Sequence, residues 1–292
     1  MRRTIPALAA LTVALAAAPA SADVVDIAPS SPWNVDFAEN KCRLARVFGE
    51  EENRHLVFFE QYWPSGTVGL SVAGPSYKRF RSRQRTELRF FESQAPLRTQ
   101  PFTGTVADYG PGVIHSSINL ASGGEESGSD DAPAEGLTLL DTEYAGQVAF
   151  VGLKQRGDEI RLLTGPLDEA FGVLNQCTLN LVADWGLDPE QQRTATRTPE
   201  WTNEAVMARR IQATYPTGAL NRGEQGIMRL RVIVNPQGRV EDCAIIKATE
   251  TEKLESPACK VMEDATFEPA LDAAGQPMRS FYATTITYVI GR

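Results

Sequence analysis

The chain has 292 residues, 42% of them hydrophobic and 23% charged, and a formal net charge of −8. That length suits one large or two ordinary domains. The acidic balance excludes nucleic acid as a partner, because binding to phosphate needs a net basic surface.

The first residues read as a targeting segment. Arg2 and Arg3 form a basic start, Ile5 to Ala18 an apolar run, and Ala20-Ser21-Ala22 a small-x-small cleavage site. Residues 1–22 are therefore expected to be a signal peptide cleaved after Ala22. The run is shorter than the ~20 residues a membrane helix needs, and no other long apolar stretch follows, so no membrane span is expected after cleavage. An uncleaved anchor is the rival reading. Without Arg2 and Arg3, 27 basic residues face 37 acidic ones, a net of −10.

Residues 23–188 are expected to form an antiparallel β unit. Short β-branched and aromatic runs recur at Leu44 to Phe48, Leu56 to Tyr62, Val68 to Val72, Glu87 to Phe91, Phe102 to Ala107, Val113 to Leu120, Gln147 to Leu153 and Glu159 to Leu163. Gly, Pro, Ser and Asn separate them, the punctuation of a sandwich or an open barrel. Gln155 to Asp158 marks a hairpin. After Gly165-Pro166 the apolar spacing turns helical, and Leu167 to Asp184, either continuous or broken near Gln176, is expected to close the unit.

Two charged stretches stand out here. Lys78, Arg79, Arg81, Arg83 and Arg85 alternate, so on a strand most of them share one face. That face is either an anion contact, for cell-wall acids or lipid head groups, or a solvated edge whose charges prevent aggregation. Residues 122–136 combine acids with Ser and Gly and read as a loop without a core; their carboxylates match no calcium-loop spacing. His55 and His115 have no nucleophile elbow, phosphate loop or metal-spaced partner around them, so no catalytic residue, metal or cofactor is expected.

Four cysteines in an exported chain point to disulfides. Three connectivities exist. Cys42 and Cys177 lie in the first part and Cys243 and Cys259 in the last, so pairing within each part is the simplest choice. Zinc finds little support, with no C-x-x-C spacing and two histidines in the chain.

Residues 189–200 are polar with two prolines and read as a linker. In residues 201–292, Asn203 to Ala213 is a short helix, with Thr202 as its N-cap and Val206, Arg210 and Ile211 on one face. Tyr215-Pro216 ends it. An apolar strand reaches Val234, Asn235-Pro236-Gln237-Gly238 makes a turn, and Val240 to Ile246 returns. A helix capped by Ser256 and Pro257 buries Leu254, Ala258, Val261, Met262 and Ala265. Phe267 and Leu271 plug its end, and Phe281 to Ile290 is the last strand. The whole chain is thus α+β, with a ββαβ unit at its C-terminal end.

Tyr215-Pro216, the Gly226 to Val234 strand, Pro236-x-Gly238, the cysteine-bearing helix, Phe267-x-Pro269-Ala270 and Gly275-x-Pro277 follow in order. This set resembles the C-terminal domain of TonB over about Ile211 to Ile290. The resemblance implies a periplasmic binding module and no enzyme. Such a domain engages an extended segment of an envelope or outer-membrane transport protein by strand addition. The residues so implicated are Tyr215, Pro216, Arg279, Ser280, Phe281, Tyr282, Thr284, Thr285 and Tyr288. The cleavable signal and the globular unit in place of a proline-rich spacer depart from an energy transducer. A transducer with a retained anchor, and a cell-wall-associated structural module, are the alternatives.

Overall fold

The structure, a computed structural model, describes residues 23–122, 135–214, 217, 226–247 and 256–288. The signal segment, most of the acidic loop, Tyr215, Pro216 and Leu254 lie outside the described residues.

The first unit holds eleven strands among the described residues: β1 (Val24–Ile27), β2 (Asn34–Ala38), β3 (Lys41–Phe48), β4 (His55–Gln61), β5 (Val68–Ala73), β6 (Thr86–Arg89), β7 (Leu97–Thr99), β8 (Phe102–Val106), β9 (Gly110–Ile118), β10 (Val151–Lys154) and β11 (Glu159–Leu162). Its helices are α1 (Thr142–Ala145) and α2 (Asp168–Asp184). The second unit adds α3 (Pro189–Arg193), β12 (Glu200–Trp201), α4 (Glu204–Ala213), β13 (Gly226–Val234), β14 (Val240–Lys247) and α5 (Ala258–Met262). It ends with β15 (Phe267–Glu268), β16 (Ala270–Leu271), β17 (Pro277–Met278) and β18 (Ser280–Tyr288).

Strands of the first unit form two open sheets, of order β2-β3-β4-β5-β9-β8 and β1-β11-β10-β6-β7, and neither closes into a barrel. Leu44 and Phe59 of the first sheet, Leu88, Leu153 and Leu162 of the second, and Phe171 and Leu174 of α2 belong to one buried core. Each such side chain contributes about 1.5–3 kcal/mol by leaving water. All pairs are antiparallel except β1 with β11, which is parallel. That exception departs from the expected antiparallel pattern: Val24–Ile27 joins β11 from the far end of the unit's sequence. Helix α2 is continuous through Gln176, and Cys177 on its buried face is bridged to Cys42 on β3, with Cα atoms 6.0 Å apart.

The basic run does not form a strand. Pro75–Arg79 is a 3-10 turn entered from Gly74 at φ +147°, and residues 80–85 turn back, with Arg83 at φ +57°. Tyr77 and Phe80 explain this, because both are pulled into the core at 3-10 spacing. The single arginine face expected from alternation therefore does not exist.

Nor is the stretch 189–200 a bare linker. Asp188 caps α3 through Glu190 N and Gln191 N, Thr196 N donates to Leu271 O at 2.9 Å, and β12 pairs with β15. In α4, Ile211 is buried as expected, but Met207 is buried beside it in place of Val206, which is 47% exposed. Thr202 does not cap α4; its hydroxyl donates to Thr266 O.

In the second unit β13 lies between β14 and β18. The turn joining β13 to β14 needs Gly238, at φ +73°, where a Cβ would fall 2.0 Å from Phe267 O. Met228, Leu230, Val232 and Val234 face α4 and α5 across a second core. Cys243 on β14 is bridged to Cys259 on α5, with Cα atoms 5.6 Å apart. Both cysteine pairs are thus the expected ones.

Candidate functional site

Strand β18 is the outer strand of its sheet. It pairs with β13 from Gly226↔Tyr288 to Val234↔Ser280, and among the described residues it has no second strand partner. An unpaired strand edge presents backbone N–H and C=O groups that can bond an incoming chain.

The face of this sheet away from α4 and α5 is not open to water. Ile233 and Phe281 pack on Val182, Leu187 and Trp185 of the first unit, and the Trp185 and Phe281 rings meet edge to face at 5.1 Å. The Arg231 guanidinium lies 4.4 Å over Trp185 and 3.5 Å from Asp242; burial lowers its pKa and the nearby carboxylate raises it. Arg229 donates to Thr285 Oγ1 on β18 and to Ser116 O on β9, and lies 5.0 Å over the Tyr62 ring. The two arginines are only 6% and 8% exposed. Buried charge persists where it is paired and hydrogen-bonded, and both arginines bind the two units together.

A groove of about 340 Å³ runs beside β18. Ala283, Thr284, Thr285 and Thr287 form one wall, and Tyr62, Trp63, Ser65 and Thr67 the other. Hydrogen bonds fix the second wall: Gln61 Nε2 donates to Ser65 O at 2.9 Å and to Thr67 O at 2.8 Å.

The nine residues implicated in partner contact are placed differently. Arg279 is occupied by Glu241 at 2.7 Å and Gly186 O at 3.0 Å. Ser280 is 3% exposed and donates to Gln192 Oε1 at 2.5 Å. Phe281 faces Trp185, and Tyr282 lies among Trp201 and Phe267, where burial raises its phenol to about 12. Thr284 and Thr285 line the groove. Tyr288 ends the β18 ladder, and Tyr215 and Pro216 are outside the described residues. The open part of the edge therefore starts after Ser280, and what it offers is backbone and hydroxyl.

Sequence reasoning missed the Tyr62 to Thr67 wall and the role of Arg229. One signal was present. Arg229 and Arg231 alternate inside an otherwise apolar strand, and all nine residues of that strand are buried. Alternating charge in a central strand of a half-covered sheet would point to water; in a sheet covered on both faces it must point to a second layer.

Residues 211–290 match the family model described as Gram-negative bacterial TonB protein C-terminal. No curated protein matches the chain. That family is an envelope protein-interaction domain, not an enzyme, which agrees with an exposed edge strand. Among the described residues no helix is long and apolar enough to cross a membrane. The match covers none of residues 23–188. Residues 211–290, ending in the edge strand β18, form a domain of the TonB C-terminal family.

Proposed function

We propose that this protein is a non-enzymatic periplasmic binding protein whose TonB-like domain takes up an extended segment of an envelope or outer-membrane transport protein by strand addition on β18. One observation carries the reading: β18 is, among the described residues, an unpaired edge with a groove alongside it. Backbone hydrogen bonds to the edge supply affinity, and the groove walls sort the side chains of the incoming segment. The hydroxyls of Thr284, Thr285, Thr287, Ser65 and Thr67 favour small or polar side chains there.

A photo-crosslinking residue at Thr287, which is exposed, should yield an adduct with an envelope protein, mapped to one extended segment. The same probe at Val173 on α2, 41% exposed, should give none. Neighbouring residues in a strand point their N–H groups to opposite sides. Of Thr284→Pro and Thr285→Pro, therefore, one removes an outward donor and spares the ladder with β13. That variant should keep its circular dichroism and lose the adduct. If it stays folded and keeps the adduct, strand addition on β18 is wrong.

A further inference from the structure

A second and larger cleft, about 1210 Å³, lies on the face of the six-stranded sheet turned away from the first core. The antiparallel register builds its floor. Phe58 pairs with Ser71, Ser71 with Ile114, and Ile114 with Phe102, so these four residues form one row across four strands. The centre of the row is small: Ser71 and Gly69, both on β5, leave a hollow between the larger side chains on either side. A solvated outer face normally alternates to polar residues; here Leu56, Phe58, Phe102 and Ile114 put apolar side chains on it, and Ile227 of the second unit borders it as well.

The cleft is strongly basic. Arg43, Arg81, Arg83, Arg156 and Arg229 line it, against one carboxylate, Glu60. Glu60 is already engaged by Lys41 at 3.2 Å and Arg43 at 2.6 Å. This concentration of positive charge occurs on a chain of net charge −8, so composition does not explain it.

The rim is held in place before any ligand arrives. Arg81 N donates to Gln155 Oε1 at 2.7 Å, and Gln155 Nε2 returns to Arg81 O at 2.8 Å. Thr103 N donates to Ser82 Oγ at 2.7 Å, and Arg83 N to Pro101 O at 2.7 Å. These bonds hold Arg83 in the left-handed region at φ +57°, a conformation that strains a non-glycine residue. They also bring the hairpin bearing Arg156 against the loop bearing Arg81 and Arg83. Neither Arg83 nor Arg156 spends its guanidinium on a hydrogen bond or ion pair among the described residues, whereas Arg81 donates to Lys78 O and Phe80 O. Like charges gathered on a fixed rim repel one another and are relieved by a bound anion.

From the apolar row beneath a fixed rim of arginines, we propose that this cleft binds a single-chain anionic amphiphile, with its chain along Phe58, Ile114 and Phe102 and its carboxylate or phosphate head at Arg83 and Arg156. The cleft, about 1210 Å³, has room for an acyl chain beside its head group. The inference does not depend on strand addition at β18.

Equilibrium binding of a fluorescent acyl carboxylate, dansyl-undecanoate, to the full chain tests it. Oleate or oleoyl lysophosphatidate should displace the probe. Displacement by oleate alone identifies a free fatty acid as the source, and by lysophosphatidate alone a phospholipid product. Oleyl alcohol, with the same chain and no charge, should compete at least about tenfold less well, and added salt should weaken the anions. The double variant Arg83→Glu, Arg156→Glu should lose about tenfold or more in affinity, the scale of two charge contacts. Ser71→Leu should fill the hollow and abolish binding. If that variant misfolds by circular dichroism, the double arginine variant, altered only at exposed side chains, decides. The proposal fails if the alcohol competes as well as oleate, if inorganic phosphate alone displaces the probe, or if the double variant binds unchanged.

Discussion

His115 sits inside the first core, 4% exposed, with Nε2 at 2.9 Å from Thr99 Oγ1. Thr99 donates its own proton to Thr86 O, so Nε2 of His115 carries the ring proton and donates to Thr99. Nδ1 is buried without a partner among the described residues, and a second proton there would be a desolvated charge. Burial accordingly lowers the pKa from 6.5 to about 4. Between those values the unfolded chain takes up a proton that the native chain refuses. Stability therefore falls as pH drops through 6.5, by about 2–3 kcal/mol at pH 4.5. Burial of His55 pushes in the same direction. Urea unfolding at pH 7.5 and 4.5 should show His115→Gln losing about 2–3 kcal/mol less than the parent over this interval; parallel profiles would overturn the assignment. Neither ring was legible as structural in the sequence beyond the lack of any catalytic neighbour. Burial depends on pairings 16 and more residues away, which one sequence does not display.

At the scale of elements, the strands with strong β-branched runs were readable, and β3, β4, β5, β9 and β11 fall where those runs lie. The short strands β1, β2 and β7 were not: three to five residues carry little periodicity, and no turn read from the sequence sets them off as Gln155 to Asp158 sets off the equally short β11. The polar stretch containing α3 was misread for a different reason. Its order comes from partners distant in the chain: Gln192 is 2% exposed and donates to Arg279 O at 3.0 Å. Composition reports only that a segment lacks a core of its own, not that it is tied to another. The cysteine pairs were legible, since α5 had to pack on β14. In the chain-entropy account the short Cys243–Cys259 loop, with a sequence separation of 16, is worth about 3 kcal/mol. The double variant Cys243→Ser, Cys259→Ser should lower the stability of the second unit by about that amount, read as a shifted urea midpoint of Trp201 fluorescence. An unshifted midpoint would mean that helix and sheet hold together without the bridge.

Across the whole molecule, the domain likeness was legible and the union of the two units was not. Motif spacing within residues 211–290 shows what that part is; nothing in its spacing shows that the first unit covers its second face. That contact has a centre in Trp185, which packs on Phe281 and carries Arg231 over its ring. Trp185→Ala removes a large, partly buried ring and leaves Arg231 without its seat. A loss of about 2–3 kcal/mol is expected, below that for a fully buried aromatic, and with it the single cooperative transition should split, the second unit melting before the first. Calorimetry would show two peaks in the variant and one in the parent; one peak in both would mean that the contact is dispensable to cooperativity.

The covered second face also sets how an incoming strand would be read. Successive side chains of a strand point to opposite sides. Outside β18, one side is the layer of α4 and Trp201, and the other is the wall from Tyr62 to Thr67. A bound segment would then carry two interleaved messages. Its odd positions would be checked by the TonB-like domain and its even positions by the unit outside the family match. Partner choice becomes a conjunction of two tests, and an isolated domain of residues 201–292 would accept segments that the full protein rejects.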